Sequence, residues 1–262
     1  MTTMGTETKT KINRLINQWI AGTPGATSYL AAAGFGRDLL VKYKNSGWLK
    51  SFGRGAYIRS GDKVTWMGAL CTLQTQLSLP VHVGGKTALQ LKGYAHYLPS
   101  KQNEIFLYGS RGLILPSWFT QGRLGVKFVV TRTNLFPTVF RAGFTDFRER
   151  DFSVRIAAPE RAVMEMFHLV PKEVGFDEAQ LIMENLVALR SDVVQRLLLE
   201  CRSIKVKRLF LYMAEKKGLP WLSKLDLSQI NLGKGKRMIV PHGRFDAKYL
   251  ITVPATREGT PS

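Results

Sequence analysis

Apolar residues at Ile12, Leu15, Ile16 and Trp19 fall at the 3.6-residue spacing of one helix face, which predicts a helix over Lys11–Ile20 with Thr10 as its cap. The AGTPG run, residues 21–25, ends it. Thr27 is the next candidate cap and opens a short helix over Ser28–Ala33. Gly34-Phe35-Gly36 then reads as a turn that uses glycine's tolerance of positive φ, with Phe35 as the apolar plug between helices. A third helix is predicted over Arg37–Ser46 and closed by Gly47. Trp48–Phe52 and Ala56–Arg59 alternate apolar with polar around Gly53-Arg54-Gly55, which is a hairpin signal. Helix, turn, helix and hairpin in this order outline a winged helix.

Beyond it the pattern changes. Asp62 is a candidate cap for a helix reaching about Leu79, stopped by Pro80. Val81–Val83 reads as a short strand and Thr87–Leu91 as a short helix. The composition turns polar near Tyr97–Gln102, and a domain boundary is expected there. That divides the chain into 1–97, a winged helix of about 10–60 with a helix–strand extension, and 98–262. Strands are predicted at Glu104–Tyr108, Val126–Thr131 and Phe152–Ile156, and later at Lys236–Pro241 and Tyr249–Val253. Pro159 opens an amphipathic helix over Glu160–Leu169, and further helices are predicted at Phe176–Leu189, Asp192–Glu200 and Val206–Lys217. The expected fold class is α+β: an N-terminal winged helix-turn-helix followed by a mixed α/β C-terminal domain.

Charge sharpens this picture. The 262-residue chain carries a formal net charge of +19, so a polyanion is the expected partner. Residues 1–100 hold 12 Lys and Arg against 3 Asp and Glu, a net of +9 with little acid to offset it. Cys71 and Cys201 lie far apart in apolar surroundings and are expected as reduced, buried thiols. Residues 1–11 read as a polar, frayed tail and not a signal peptide. No apolar run approaches the ~20 residues of a membrane span. A cytoplasmic chain is the expectation.

On a wheel of about 100° per residue, Leu39, Leu40 and Tyr43 form the core side of the third helix. Asp38, Lys42 and Asn45 lie opposite, with Arg37 and Lys44 on the flank. A recognition helix places such a face in the major groove, where Arg or Lys reads guanine and Asn reads adenine. Thr27 and Ser28 are placed to bond a phosphate at the start of the preceding helix, and Lys50, Arg54 and Arg59 to contact backbone or minor groove from the hairpin. The bland readings are a winged helix used for protein docking, or a solvated basic face. Double-stranded DNA is the favoured partner.

At this point the sequence resembles the AbiEi-type antitoxins of bacterial type IV toxin–antitoxin (abortive infection) systems. The resemblance rests on SGWL (Ser46–Leu49), GRGAY (Gly53–Tyr57), HVGGKTALQLKGYAHYL (residues 82–98), LPSWF (Leu115–Phe119) and PERAVMEMF (Pro159–Phe167), in that order from about Lys11 to Pro254. It implies a transcriptional repressor that binds inverted repeats in the promoter of its own operon. It also implies a C-terminal domain that counteracts a toxin of the nucleotidyltransferase fold. Inverted repeats suggest two copies on DNA, compatible with a monomer in solution that binds cooperatively. The alternative is a stand-alone winged-helix regulator with a ligand- or protein-binding C-terminal domain.

No catalytic constellation emerges, and no cofactor or metal is expected. Gly85-Lys86-Thr87 resembles the end of a phosphate-binding loop, but the glycine required five residues before Gly85 is Pro80. His82, His96, His168 and His242 lack metal-ligand spacing. Glu160 and Glu165 flank Arg161 on a helix, with Glu160 suited to the dipole of the first turn. Asp146, Glu149 and Asp151 alternate with Arg148 and Arg150, as in a solvated charged loop. Two basic clusters, Arg202/Lys205/Lys207/Arg208 and Lys234/Lys236/Arg237, read as solvated faces, as extra DNA contact, or as docking for an acidic patch.

Overall fold

The computed structural model describes residues 4–94 and 103–255, and side chains within them from residue 11 onward. Its fold is α+β. The winged helix comprises α1 (Met4–Gln18), β1 (Gly25–Ala26), α2 (Thr27–Ala32), α3 (Arg37–Asn45), β2 (Leu49–Gly53) and β3 (Ala56–Arg59). The three strands form one sheet in the order β1-β3-β2. Ile12, Leu15, Trp19, Leu30, Phe35, Leu40, Tyr43 and Leu49 make its core. Phe35 is the expected plug, 1% exposed, and Gly34 before it adopts φ +90°.

Helix α1 starts at Met4, so the segment expected to fray continues the helix, and Thr10 lies inside it and does not cap it. Helix α4 (Trp66–Thr75) is shorter than expected. Its cap is Thr65, whose Oγ1 accepts the Gly68 N–H at 3.1 Å. Asp62, the expected cap, instead accepts from Arg59 and from the Gly22 amide. Helix α4 ties the winged helix to the rest of the chain. A Cβ on Gly68 would lie 2.1 Å from the Gly22 carbonyl oxygen. Thr72 Oγ1 donates to the Pro24 carbonyl at 2.6 Å, and the Gln76 side chain bonds both Pro24 and Ala26.

The larger sheet has five strands in the order β6-β5-β4-β8-β7. They are β4 (Val81–Val83), β5 (Glu104–Gly109), β6 (Lys127–Arg132), β7 (Phe144–Glu149) and β8 (Phe152–Ala157). The expected domain boundary at Tyr97–Gln102 lies outside the described residues, but the topology on either side is clear. Strand β4, from the extension, is the middle strand: it pairs antiparallel with β5 and parallel with β8. The charged run around Asp146 is not a loop. It forms β7 and the turn into β8, paired antiparallel from Phe144↔Ala157 to Glu149↔Phe152, with Phe147 packed on the core and Phe144 on the opposite face against His82 and Arg161.

Helix α5 (Gly85–Leu91) packs against α7 (Pro159–Leu169), and α7 against α8 (Phe176–Glu184), α9 (Ser191–Glu200) and α10 (Ile204–Lys216). A short helix, α6 (Ser117–Thr120), reaches back to β2. Helix α8 stops at Glu184, short of the predicted Leu189. Helix α7 is amphipathic in sequence, as expected, but is buried on all sides from Glu160 to Phe167, its polar face included. The chain ends in a small sheet, order β10-β11-β9, from β9 (Arg237–Met238), β10 (Arg244–Asp246) and β11 (Ile251–Val253).

Candidate nucleic-acid interface

Helix α3 turns Leu40 and Tyr43 inward, with Leu39 half-buried beside them. Its outer side centres on Asn45, flanked by Asp38 and Lys42 on one hand and by Val41 and Arg37 on the other. All five are exposed, as is Lys44 further round. Asp38 lies in the first turn, where a carboxylate complements the positive end of the helix. Gly47, at φ +79°, ends the helix as expected. Sequence reasoning passed over Val41, 38% exposed, and Trp48, 51% exposed. The signal was available for Val41, which sits one turn from both Arg37 and Asn45 along a single ridge.

The hairpin places Lys50 opposite Ile58 and Arg54 at its tip between Gly53 (φ +127°) and Gly55 (φ +94°). Lys50 and Arg54 are exposed. The Thr27 amide donates to the Gly55 carbonyl at 2.9 Å, which brings the start of α2 against the wing tip. Thr27 is therefore the first residue of α2 and not its cap, which is Ala26. Its amide is committed within the fold and not open to a phosphate, while Ser28 beside it is exposed.

Arg59 stands apart from this group. Its Nε and Nη2 each donate at 3.1 Å to the two Asp62 oxygens, and Asp62 also accepts the Gly22 N–H at 3.0 Å. Arg59 thus fastens the base of the hairpin to the turn after α1. The inner side of the wing is covered as well. A Cβ on Gly53 would lie 3.0 Å from Trp118 Cβ, and the Phe52 and Trp118 rings are 6.1 Å apart. Of the residues expected to meet DNA, those open to solvent are Arg37, Lys42, Lys44 and Asn45 on α3, Ser28, and Lys50 and Arg54 on the wing.

Two family models match the chain: "Transcriptional regulator, AbiEi antitoxin N-terminal domain" over residues 8–100, and "Transcriptional regulator, AbiEi antitoxin, Type IV TA system" over residues 102–254. The chain belongs to the AbiEi antitoxin family. AbiEi proteins are transcriptional regulators of type IV toxin–antitoxin systems and not enzymes. The crystal structure of the RV2827C protein from Mycobacterium tuberculosis is similar in fold, with a TM-score of 0.55 and 14% identity over 95% of this chain and 92% of that one. No curated protein matches the chain. Among the described residues no helix is long and apolar enough to cross a membrane.

The strings that carry the AbiEi resemblance outside the winged helix have packing roles. LPSWF supplies the tryptophan under the wing. In HVGGKT, a Cβ on Gly84 would lie 2.1 Å from Glu165 Oε2 and 2.5 Å from Tyr108 Cδ2, so only glycine fits. Lys86 pairs with Glu178 at 2.6 Å, and Thr87 Oγ1 accepts the Phe106 N–H at 2.9 Å. PERAVMEMF forms α7, whose charges are met internally. Glu160 accepts from Arg190 Nε at 2.9 Å and Nη2 at 3.0 Å. Glu165 Oε1 accepts from both His82 Nε2 and Arg161 Nε at 2.8 Å.

Burial pushes both carboxyls up, but Arg190 in one case, and His82 with Arg161 in the other, hold them below the usual carboxylate range. The folded protein therefore binds these protons less readily than the unfolded chain, and protonation favours unfolding. Stability is expected to be full above the unfolded carboxyl value of about 4.3. It falls as pH descends through the depressed folded values. Urea midpoints measured from pH 6 to pH 3 check this, and Glu160→Gln should flatten the slope.

The basic cluster after α9 is not a solvated face. Lys205 Nζ donates to the His168 carbonyl at 2.9 Å and the Val170 carbonyl at 2.6 Å, and Lys207 Nζ to that of Asn231 at 3.3 Å. Arg208 is 1% exposed. Only Arg202 of the four faces solvent, whereas Lys234, Lys236 and Arg237 are exposed as expected. Cys71 and Cys201 are free and buried, and burial pushes the Cys201 thiol up to about 11. Among the described residues no cluster of ligating side chains is suited to a metal.

Proposed function

We propose that this AbiEi protein represses its own operon in the cytoplasm by binding inverted repeats through the outer face of α3. The observation that carries this reading is the row Arg37, Val41 and Asn45, exposed along one ridge of a helix that a winged helix turns to solvent. The row spans about 12 Å at 1.5 Å per residue, a stretch of three to four base pairs at roughly 3.4 Å each. Arg37 then reads a guanine, Val41 meets a thymine methyl, and Asn45 pairs with an adenine. Lys42 and Lys44 flank the row, and Ser28, Lys50 and Arg54 hold the backbone, with Thr27 positioning that end of the surface. Two copies bind one inverted repeat cooperatively from monomers in solution. The half of the chain built on the larger sheet counteracts a toxin of the nucleotidyltransferase fold.

Gel shifts with the operon's promoter test the DNA part. Each good base contact contributes roughly 1–3 kcal/mol of discrimination, so Arg37→Ala with Lys42→Ala should weaken binding by at least tenfold. Arg54→Ala should flatten the dependence of log K on log salt by about 0.9, as one lost phosphate contact requires. Arg59→Ala should leave that slope unchanged and lower Tm instead. Unchanged affinity in the Arg37/Lys42 pair would remove α3 as the reader. Toxin rescue by the full chain, with and without these changes, tests whether neutralisation is separate from repression.

A further inference from the structure

A second polar site lies in the other half of the molecule, in a cleft where the 133–144 loop crosses the sheet beside α7. About 70 Å³ is open inside it, several times the roughly 10–15 Å³ that one ordered water needs. Its floor is the buried trio His82, Arg161 and Glu165, whose side chains are 9%, 8% and 2% exposed. An ion network in an interior costs desolvation, and a well-packed apolar replacement is often at least as stable. A buried network that opens into a cleft is therefore a candidate binding site.

The charges around the cleft decide what it would take. Of the Glu165 carboxylate, Oε1 accepts from His82 and Arg161, and Oε2, buried and without a hydrogen-bond partner, faces Gly84. Its charge is balanced by Arg161, whose guanidinium is held between the Phe136 and Phe144 rings at 4.4 and 4.1 Å. Because Glu165 is ionised, His82 Nε2 carries the proton and donates to it. At the rim stand Arg141 and Arg155, both exposed, and neither forms an ion pair among the described residues, although Asp146 lies across the strand pair from Arg155. Ser110, Thr133 and Thr138 line the wall. The lining thus holds unbalanced cations and hydroxyl donors, and its single carboxylate is paired through Oε1 with Arg161 and His82.

We propose that this cleft binds a small oxyanion, either free phosphate or the phosphate group of a nucleotide, with Arg161 at its floor and Arg141 and Arg155 at its rim. The volume admits one tetrahedral oxyanion, and anything attached to it lies outside, past the two arginines.

Thermal unfolding of the full chain in 10 mM phosphate, against chloride of equal ionic strength, tests the site. A shift of roughly 2–4 °C is expected if phosphate binds with a millimolar Kd. Arg141→Ala with Arg155→Ala, both on the surface and outside the core, should abolish the shift. Arg123→Ala with Lys224→Ala removes the same charge elsewhere and should keep it. A nucleoside monophosphate at the same concentration separates the two sources. A larger shift than with phosphate assigns the site to a nucleotide, and an equal or smaller one to the free ion. No shift in the parent protein, a shift that survives the rim substitutions, or one lost equally in the control pair would overturn the proposal.

Discussion

A fragment beginning at residue 98 is expected not to fold, whereas one beginning at Lys63 folds into the complete five-stranded sheet. The first cut removes β4 from the middle of that sheet and leaves the facing edges of β5 and β8 unpaired. It also removes Leu70, Leu73, Val81, Val83 and Leu89, each at most 2% exposed in the core. Burial of each such side chain contributes about 1.5–3 kcal/mol. Five of them together, about 7.5–15 kcal/mol, are comparable to the whole stability of an ordinary domain, about 5–15 kcal/mol. Glu165 also loses His82, one of its two donors. The Lys63 fragment keeps all of these and forfeits the contacts of Phe52 and Ala56 with Trp118 and its neighbours, so it should be folded but less stable than the full chain. Circular dichroism and urea titration of both fragments check this. Cooperative unfolding of the shorter fragment would show that β4 is dispensable. Any rescue experiment that assigns toxin neutralisation to the second half therefore needs the fragment from Lys63.

The winged helix was legible because its signals are local. The 3.6-residue period fixed the inner face of α3, and Gly34, Gly47, Gly53 and Gly55 mark turns whose positive φ is visible in the residue type. The larger sheet was less legible. Strand β4 is three residues long and buried on both faces, so the Val-His-Val alternation of Val81–Val83 is too short to show which half it joins. The His82–Glu165 contact closes across 83 positions, and neither residue alone differs from a solvated one in sequence. Arg59 shows the same limit at shorter range: its place on the hairpin suggested DNA, and its pairing with Asp62 three positions on was not read from the sequence. The cap at Thr10 failed because α1 begins upstream at Met4, and those at Thr27 and Asp62 because the residue types that favour caps also serve inside first turns and in ion pairs.

The basic run after α9 gives the other large expected effect. Arg208→Met should destabilise the protein by about 3–5 kcal/mol, because hydrogen bonds to a charged group contribute about 1.5–3 kcal/mol each and the four it makes are only part-buried. Arg208 donates to four carbonyls: Leu232 at 2.7 Å, Gly235 at 2.6 Å, Gly233 at 2.9 Å and Leu250 at 3.1 Å. These come from both ends of the 232–250 segment, so one guanidinium holds the small sheet β10-β11-β9 against α10. Methionine keeps the length and apolar stem of the side chain but offers no donor. The expected readouts are a Tm lowered by roughly 10 °C and loss of amide protection at Ile251–Val253 before global unfolding. Lys236→Ala, on the exposed surface of the same sheet, should stay within about 0.5 kcal/mol of the parent. A docking role for the cluster predicts the reverse pattern, with normal stability and lost binding in Arg208→Met. The two readings part on a single melting curve, since a guanidinium that is 1% exposed has almost no surface to offer a partner.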